Sequence, residues 1–373
     1  MTDSLSHYYF HSRTTSTGID YRKKPKPKQG FTLPGTDYSG SSGTTGPMSF
    51  SKVNNDQKND HHETQPSSPS SLSLLPPISL VSTCEEMNPS RRSSFEDCSI
   101  YAPAGSWNAP ESNMALISVI DGHGGRDIVE FLEDGLIYHV SQELQHNSNT
   151  SNYQNGNDES VLARLERAFL MADIHSKALG VTSSGATVAL CLITRGNIDD
   201  EDNGNRNSDL TNHGNDNTWT FHAANAGDAR VVLCHEGLAF RMTHDHRTDD
   251  PLEVKRIEES GGFIFKGRVL GVLAVTRSLG DHCMKEYVIA KPYTSKKTIT
   301  IVPSNDDDDN DAKIASFLIV GCDGLWDVIQ DQEAVDFVLK RIAEKELVAK
   351  YLVEEALKRG STDNITVSVA FLT

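Results

Sequence analysis

No two of the six cysteines (Cys84, Cys98, Cys191, Cys234, Cys283, Cys322) stand at the CxxC spacing of a zinc site or dithiol redox pair, so they read as free thiols in a reducing compartment. No apolar h-region opens the chain and no run reaches the length of a membrane span, so neither a signal peptide nor a transmembrane helix is expected. The phosphate-cradling patterns GxGxxG and GxxxxGK[ST] are missing. The aspartates Asp306 to Asp309 and Asp311 lack the Gly and Glu of an EF-hand and read as a solvated acidic loop. Basic charge is scarce: 35 Lys and Arg against 52 Asp and Glu give a formal net charge of −17, which argues against generic nucleic-acid binding. These absences lead us to expect a soluble protein of the cytoplasm, with the nucleus as a second location and no nucleic-acid or membrane partner; a monomer is expected without a sequence signal for it.

Of 373 residues, 1–80 are rich in Ser, Thr, Pro, Gly, Asn and His without a sustained hydrophobic period, so a largely disordered tail is expected, with order from Val81 onward. Its basic cluster, Arg22, Lys23, Lys24, Lys26 and Lys28, reads as a solvated run ahead of a localisation or docking patch. The remaining 81–373 suffice for one core, interrupted by polar insertions near 146–157, 196–218 and 304–313. Strand signals are ALISVID, TVALCLIT, WTFHAANAG, RVVLCHEG, KIASFLIVG and ITVSVAFL. Helix signals run from Asp127 to about Glu143, Ser160 to Leu179, Asp331 to about Lys345 and Leu347 to Arg359. Short turns between strands favour antiparallel pairing. The expected class is α+β, an antiparallel β-sandwich with helices packed outside it rather than a βαβ alternation.

Four of the apolar runs adjoin an acidic turn: ISVIDGHGG (Asp121), FHAANAGDAR (Asp228), FLIVGCDGLWD (Asp323, Asp327) and STDNITVSVAF (Asp363, Asn364). Glu96 and Asp97 form a fifth acidic pair upstream. Any one such Asp is an ordinary turn former. Carboxylates at several strand ends can converge, and a cluster of hard oxygen ligands is what magnesium or manganese takes. Two such ions are a common device for attacking a phosphate ester, so the residues point to a metal-dependent phosphate hydrolase.

Six blocks in order, RRSSFED, VIDGHGG, SSGATV, NAGDARVVL, GVLAVTRSLGD with DGLWD, and GSTDNITV, resemble the type 2C metal-dependent Ser/Thr protein phosphatases (the PPM family) from about Cys84 to Thr373. GRVLGVLAVTRSLGD and KPYTS resemble its fungal branch. The resemblance implies a four-layer αββα fold and hydrolysis of phosphoserine and phosphothreonine on proteins by a water bridging two Mn2+ or Mg2+ ions. Asp121 would bridge the ions and the Gly122 carbonyl would bind one of them. Asp323 and Asp363 would hold the other, while Glu96 and Asp97 would orient bound waters or ligate directly. Asp228 and Asp327 match positions tied to a weaker third ion. His123 would protonate the leaving alkoxide, its rival role being a hydrogen bond to a metal-bound carboxylate. Arg92, with Arg91 as its neighbour and rival, matches the phosphate-binding arginine, whose fork suits bidentate capture. A flap is implied over 247–281, in which Arg277 and Asp281 read as structural. Stress MAP-kinase pathway proteins are the substrates this resemblance suggests. A non-catalytic phosphoprotein-binding scaffold of the same fold is the alternative, and the intact ligands at Asp121, Asp323 and Asp363 argue against it.

Overall fold

The computed structural model describes residues 76–145, 160–196, 217–301 and 315–373, and the backbone of 8–13. The expected insertions, the basic cluster and most of the tail lie outside the described residues. In chain order the first strands are β1 (Tyr8–Arg13), β2 (Ile78–Glu86), β3 (Cys98–Ala102), β4 (Met114–His123), β5 (Gly185–Arg195), β6 (Thr218–Ala226) and β7 (Arg230–His235). They are followed by β8 (Leu238–Arg241), β9 (Ile264–Phe265), β10 (Arg268–Val269), β11 (Leu279–Gly280), β12 (Tyr293–Thr300), β13 (Phe317–Gly321) and β14 (Ile365–Leu372). The helices are α1 (Asp127–Gln145), α2 (Val161–Ala178), α3 (Pro251–Glu259), α4 (Asp323–Trp326), α5 (Asp331–Leu339) and α6 (Val348–Lys358).

Among the described residues two large sheets result, one ordered β1-β2-β14-β13-β7-β8 and the other β12-β6-β5-β4-β3 with β11 beside β5, and β9 and β10 pair apart from both. Period-2 alternation builds three apolar layers around them. Along β4, Met114, Leu116 and Ile120 pack with Ile128, Leu132 and Phe169 of α1 and α2, while Ala115, Ile117 and Val119 enter the seam between the sheets. Along β14, Ile365, Val367, Val369 and Phe371 pack with Val335, Val338, Leu352 and Ala356 of α5 and α6. Each fully buried aliphatic side chain here contributes roughly 1.5–3 kcal/mol, which is why both faces of the central strands read as near-continuous apolar runs. The expected αββα sandwich is thus present.

Three details differ from the sequence reading. Tyr8–Arg13 forms a strand parallel to β2, with Tyr8 opposite Leu80 and Arg13 opposite Glu85, although this stretch falls in the expected disordered tail. A six-residue run opening with two tyrosines and a phenylalanine has local β preference that the average composition of the tail hides. β2 begins at Ile78, slightly ahead of Val81. The helix expected to reach Lys345 ends at Leu339, and a 3-10 segment, Ile342–Leu347, separates it from α6, with Glu344 outside helical geometry (φ −120°). Arg341 stacks 3.6 Å over Phe337 at this break.

The 247–281 segment carries α3, capped where Asp250 Oδ1 accepts from Leu252 N at 2.8 Å, and the β9–β10 hairpin. Its base is fixed by Glu253, whose carboxylate accepts from Arg256 (2.8 Å), Arg277 (2.5 Å) and Thr276 (2.8 Å). Burial alone would raise this carboxyl, but its hydrogen bonds from Arg277 and Arg256 hold it down to about 2. Arg277 is therefore structural, as expected.

Candidate metal and phosphate site

The acidic turns meet at one end of the sandwich. Asp121 ends the apolar part of β4, and Asp323 opens α4 directly after β13. Asp363 sits in the turn before β14, and Asp228 lies between β6 and β7. Hydrogen bonding within the loops fixes this convergence. Asn364 Nδ2 donates to Met87 O (2.8 Å) and Ser94 O (3.0 Å), and its Oδ1 accepts from Glu96 N (3.0 Å). Asn88 Nδ2 donates to Ser361 O (2.9 Å) and Asp363 O (3.1 Å), tying the 87–97 segment to the Asp363 turn. A Cβ on Gly324 would come within 2.0 Å of Asn364 O, so only glycine lets α4 start this close to β14. Gly122 is equally constrained, since a Cβ there would meet Val129 at 2.4 Å and the Glu96 carbonyl at 2.5 Å.

The cluster is electrostatically incomplete. Burial, then repulsion from Asp323, Asp97, Asp228 and Asp363, drives the Asp121 carboxyl well above the usual range. Asp323 is pushed up likewise by burial and by Asp228, Asp363 and Asp327. Burial raises Asp97 to about 7 and Asp228 to about 6, and raises Asp363 as well. Asp323 Oδ1 and Asp228 Oδ1 are buried without a hydrogen-bond partner. Oxygens in this state fit a divalent cation, because an ion removes the mutual repulsion and supplies the missing partner. Donor atoms of Asp121, Cys322 and Asp323 lie within 4.8 Å of one another. Burial keeps the Cys322 thiol protonated, and it accepts from Thr366 N at 3.1 Å, so the oxygens of this set remain the ligands suited to manganese or magnesium.

The other expected residues line the rim. Glu96 accepts from Ser94 Oγ (3.1 Å) and from Gly125 N (3.4 Å), beside Gly122. Arg92 is half-exposed, pairs with Asp363 Oδ2 and donates through Nε to Thr362 O at 3.3 Å. Asp327 caps α4 and is paired with Arg247. His123 does not bond to the carboxylates of the cluster. Its Nε2 lies 2.8 Å from Asp281 Oδ2, whose side chain is only 5% exposed and also accepts from Ser278 Oγ.

Sequence reasoning thus missed two residues. Asp281, taken as structural, orients the histidine, and Arg247 faces Asp228 and Asp327. One signal for the first was present in SSGATV, where a Cβ on Gly185 would stand 2.0 Å from Asp281 Oδ2 and 2.4 Å from His123 Nε2. That glycine leaves the room in which the pair forms.

A model of the "Protein phosphatase 2C" family matches residues 83–365. Among curated proteins, "Protein phosphatase 2C homolog 1" of Saccharomyces cerevisiae is 36% identical over 78% of this chain and 93% of its own length. Its namesake in Schizosaccharomyces pombe is 35% identical over 79% of this chain and 73% of its own. Among solved structures, a serine-threonine phosphatase 2C from Toxoplasma gondii shares the fold at a TM-score of 0.57 and 19% identity, covering 80% of this chain and 98% of that one. A second Toxoplasma gondii phosphatase does so at 0.59 and 21%, covering 78% and 92%. The motifs, the layered sandwich and the similarity to relatives over most of their length agree, and the chain belongs to the protein phosphatase 2C family of metal-dependent serine/threonine phosphatases.

Proposed function

We propose that this chain hydrolyses phosphoserine and phosphothreonine in proteins with two manganese or magnesium ions held by Asp121, the Gly122 carbonyl, Asp323 and Asp363, assisted by Glu96 and Asp97. The observation that carries the reading is the partly buried, mutually repelling Asp121–Asp323 pair, with Asp323 Oδ1 buried and left without a hydrogen bond. When bound, such ions supply a water nucleophilic at neutral pH and positive charge for the phosphoryl oxygens.

The chain's own groups do the rest. Arg92 sits where its guanidinium can leave Asp363 and grip two phosphoryl oxygens. His123 gives its proton to the departing seryl or threonyl oxygen and is reprotonated from solvent, and Asp281 holds the ring in position through Nε2. The narrower reading, that the substrates include stress MAP-kinase pathway proteins, rests on the resemblance of GRVLGVLAVTRSLGD and KPYTS to the fungal branch of the family. Phosphate release by the full chain from phosphothreonine, phosphoserine and phosphotyrosine peptides and from a DNA oligonucleotide tests the substrate class. Release from the first two alone is expected, and cleavage of DNA at a comparable rate would overturn it.

A further inference from the structure

Arg247 has no part in the hydrolysis proposed above, yet it lies against the same cluster. Its Nε is 3.1 Å from Asp228 Oδ2 and its Nη2 donates to Asp327 Oδ1 at 2.6 Å. These are the two carboxylates that the family resemblance ties to a weaker third ion. The arginine is partly shielded, 32% exposed, and Asp228 is nearly buried at 6%. Its backbone is pinned from both sides. It bridges Val275, its neighbour His246 donates to Gly227 O (2.9 Å) and accepts from Thr276 N (2.9 Å), and its own carbonyl accepts from Asp250 N (3.2 Å). The guanidinium is therefore delivered to the carboxylates by the fold, at the point where the 247–281 segment begins. An arginine side chain keeps its charge at every accessible pH, so this cation does not come and go. Its charge opposes the burial that raises Asp228 and the repulsion that raises Asp323.

We propose that Arg247 is the resident cation of the Asp228–Asp327 pair, occupying the position a third metal ion would need, so that the centre is built for two ions. A third ion that bridges the pair must displace the guanidinium, while the backbone that carries it stays pinned. Asp327 is half-exposed, and Arg247 holds one oxygen of each carboxylate, Asp228 Oδ2 and Asp327 Oδ1, so an ion can bridge the pair through these two oxygens only once the guanidinium moves. The inference rests on the two-ion reading of the Asp121–Asp323 centre, and one titration separates the two.

The test is manganese binding to the full chain by calorimetry and equilibrium dialysis, for wild type, Arg247→Met and Arg247→Lys. Wild type is expected to saturate at two ions. Arg247→Met is expected to take up a third, at least about tenfold more tightly than any third ion on wild type, because a neutral side chain of similar volume frees two carboxylates. Arg247→Lys guards against misfolding of the methionine variant. It keeps the charge but cannot fork across both carboxylates, so a third ion should bind it with intermediate affinity. Three ions on wild type with affinities matching the variants, or two ions on a folded Arg247→Lys and Arg247→Met alike, would overturn the role of Arg247. No manganese on wild type at all would instead overturn the two-ion reading beneath it.

Discussion

Asp323→Asn is expected to lower turnover on a phosphothreonine peptide by roughly 10³-fold or more, beyond the 10–100-fold typical of outer-shell changes at metal sites, while making the metal-free protein more stable. Both effects have one cause. Asp323 is partly buried among Asp228, Asp363 and Asp327, an arrangement useful only when a cation is present. Without the cation each ionised carboxylate is uncompensated, and neutralising one should stabilise the fold by about 1–3 kcal/mol.

The pH dependence follows with a definite sign. Asp97 and Asp228 titrate at about 7 and about 6 in the folded chain, and Asp121 and Asp323 are raised well above their ordinary value. A carboxyl raised in the folded state holds a proton that the unfolded chain has lost, so metal-free stability is highest at low pH and falls as pH rises through the folded value. Each proton so held changes stability by about 1.4 kcal/mol per pH unit. The window to use is pH 6.5 to 8. Below it, burial lowers His139 to about 4 and His246 to about 3, and their uptake of protons on unfolding adds an opposite slope. Thermal melts in EDTA should therefore show wild type losing stability from pH 6.5 to 8, with a shallower loss in Asp323→Asn. A metal-free wild type that gains stability across this window, or a variant destabilised by several kcal/mol, would contradict the electrostatic account.

Replacing His123 by Gln should separate substrates by their leaving groups. A threonyl alkoxide must be protonated as it departs, whereas p-nitrophenolate leaves without help. The variant is expected to lose about 10²–10⁴-fold on the phosphothreonine peptide and no more than about tenfold on p-nitrophenyl phosphate. Asp281→Asn should show the same selectivity at smaller amplitude, about 10–100-fold on the peptide, since it disturbs the ring only through the 2.8 Å hydrogen bond at Nε2. Equal losses on both substrates for both variants would mean that the His123–Asp281 pair supports the fold or the ions and not proton transfer.

What could be read from the sequence was local. Apolar runs ended by Asp-containing turns identified β4, β13 and β14 and the acidic residues that follow or precede them, because one strand and its turn carry the whole signal. Relations between distant segments left little trace. Asp281 is 158 positions from the histidine it holds, and Arg247 is 80 from Asp327. An arginine in HDHRTDD looks like surface charge until the fold presents Asp228 and Asp327 to it. Asn88 behaves in the same way, since its side chain is explained only by carbonyls more than 270 positions away. β1 was hidden for another reason: three β-prone aromatics within a largely polar tail of some eighty residues are lost in any average, and the strand that pairs with them, β2, lies about seventy positions away. The end of α5 at Leu339 was obscured because the apolar pattern continues through Ile342 after helical geometry has stopped.

The most direct test of the central claim, that these converging carboxylates form a metal centre for phosphomonoester hydrolysis, is phosphate release from a phosphothreonine peptide by the full chain. The rate would be followed in manganese, after EDTA, and after manganese is restored. The account predicts turnover in manganese, its loss to background in EDTA and its recovery on re-addition. Turnover that persists in EDTA from a protein shown to be metal-free would contradict it.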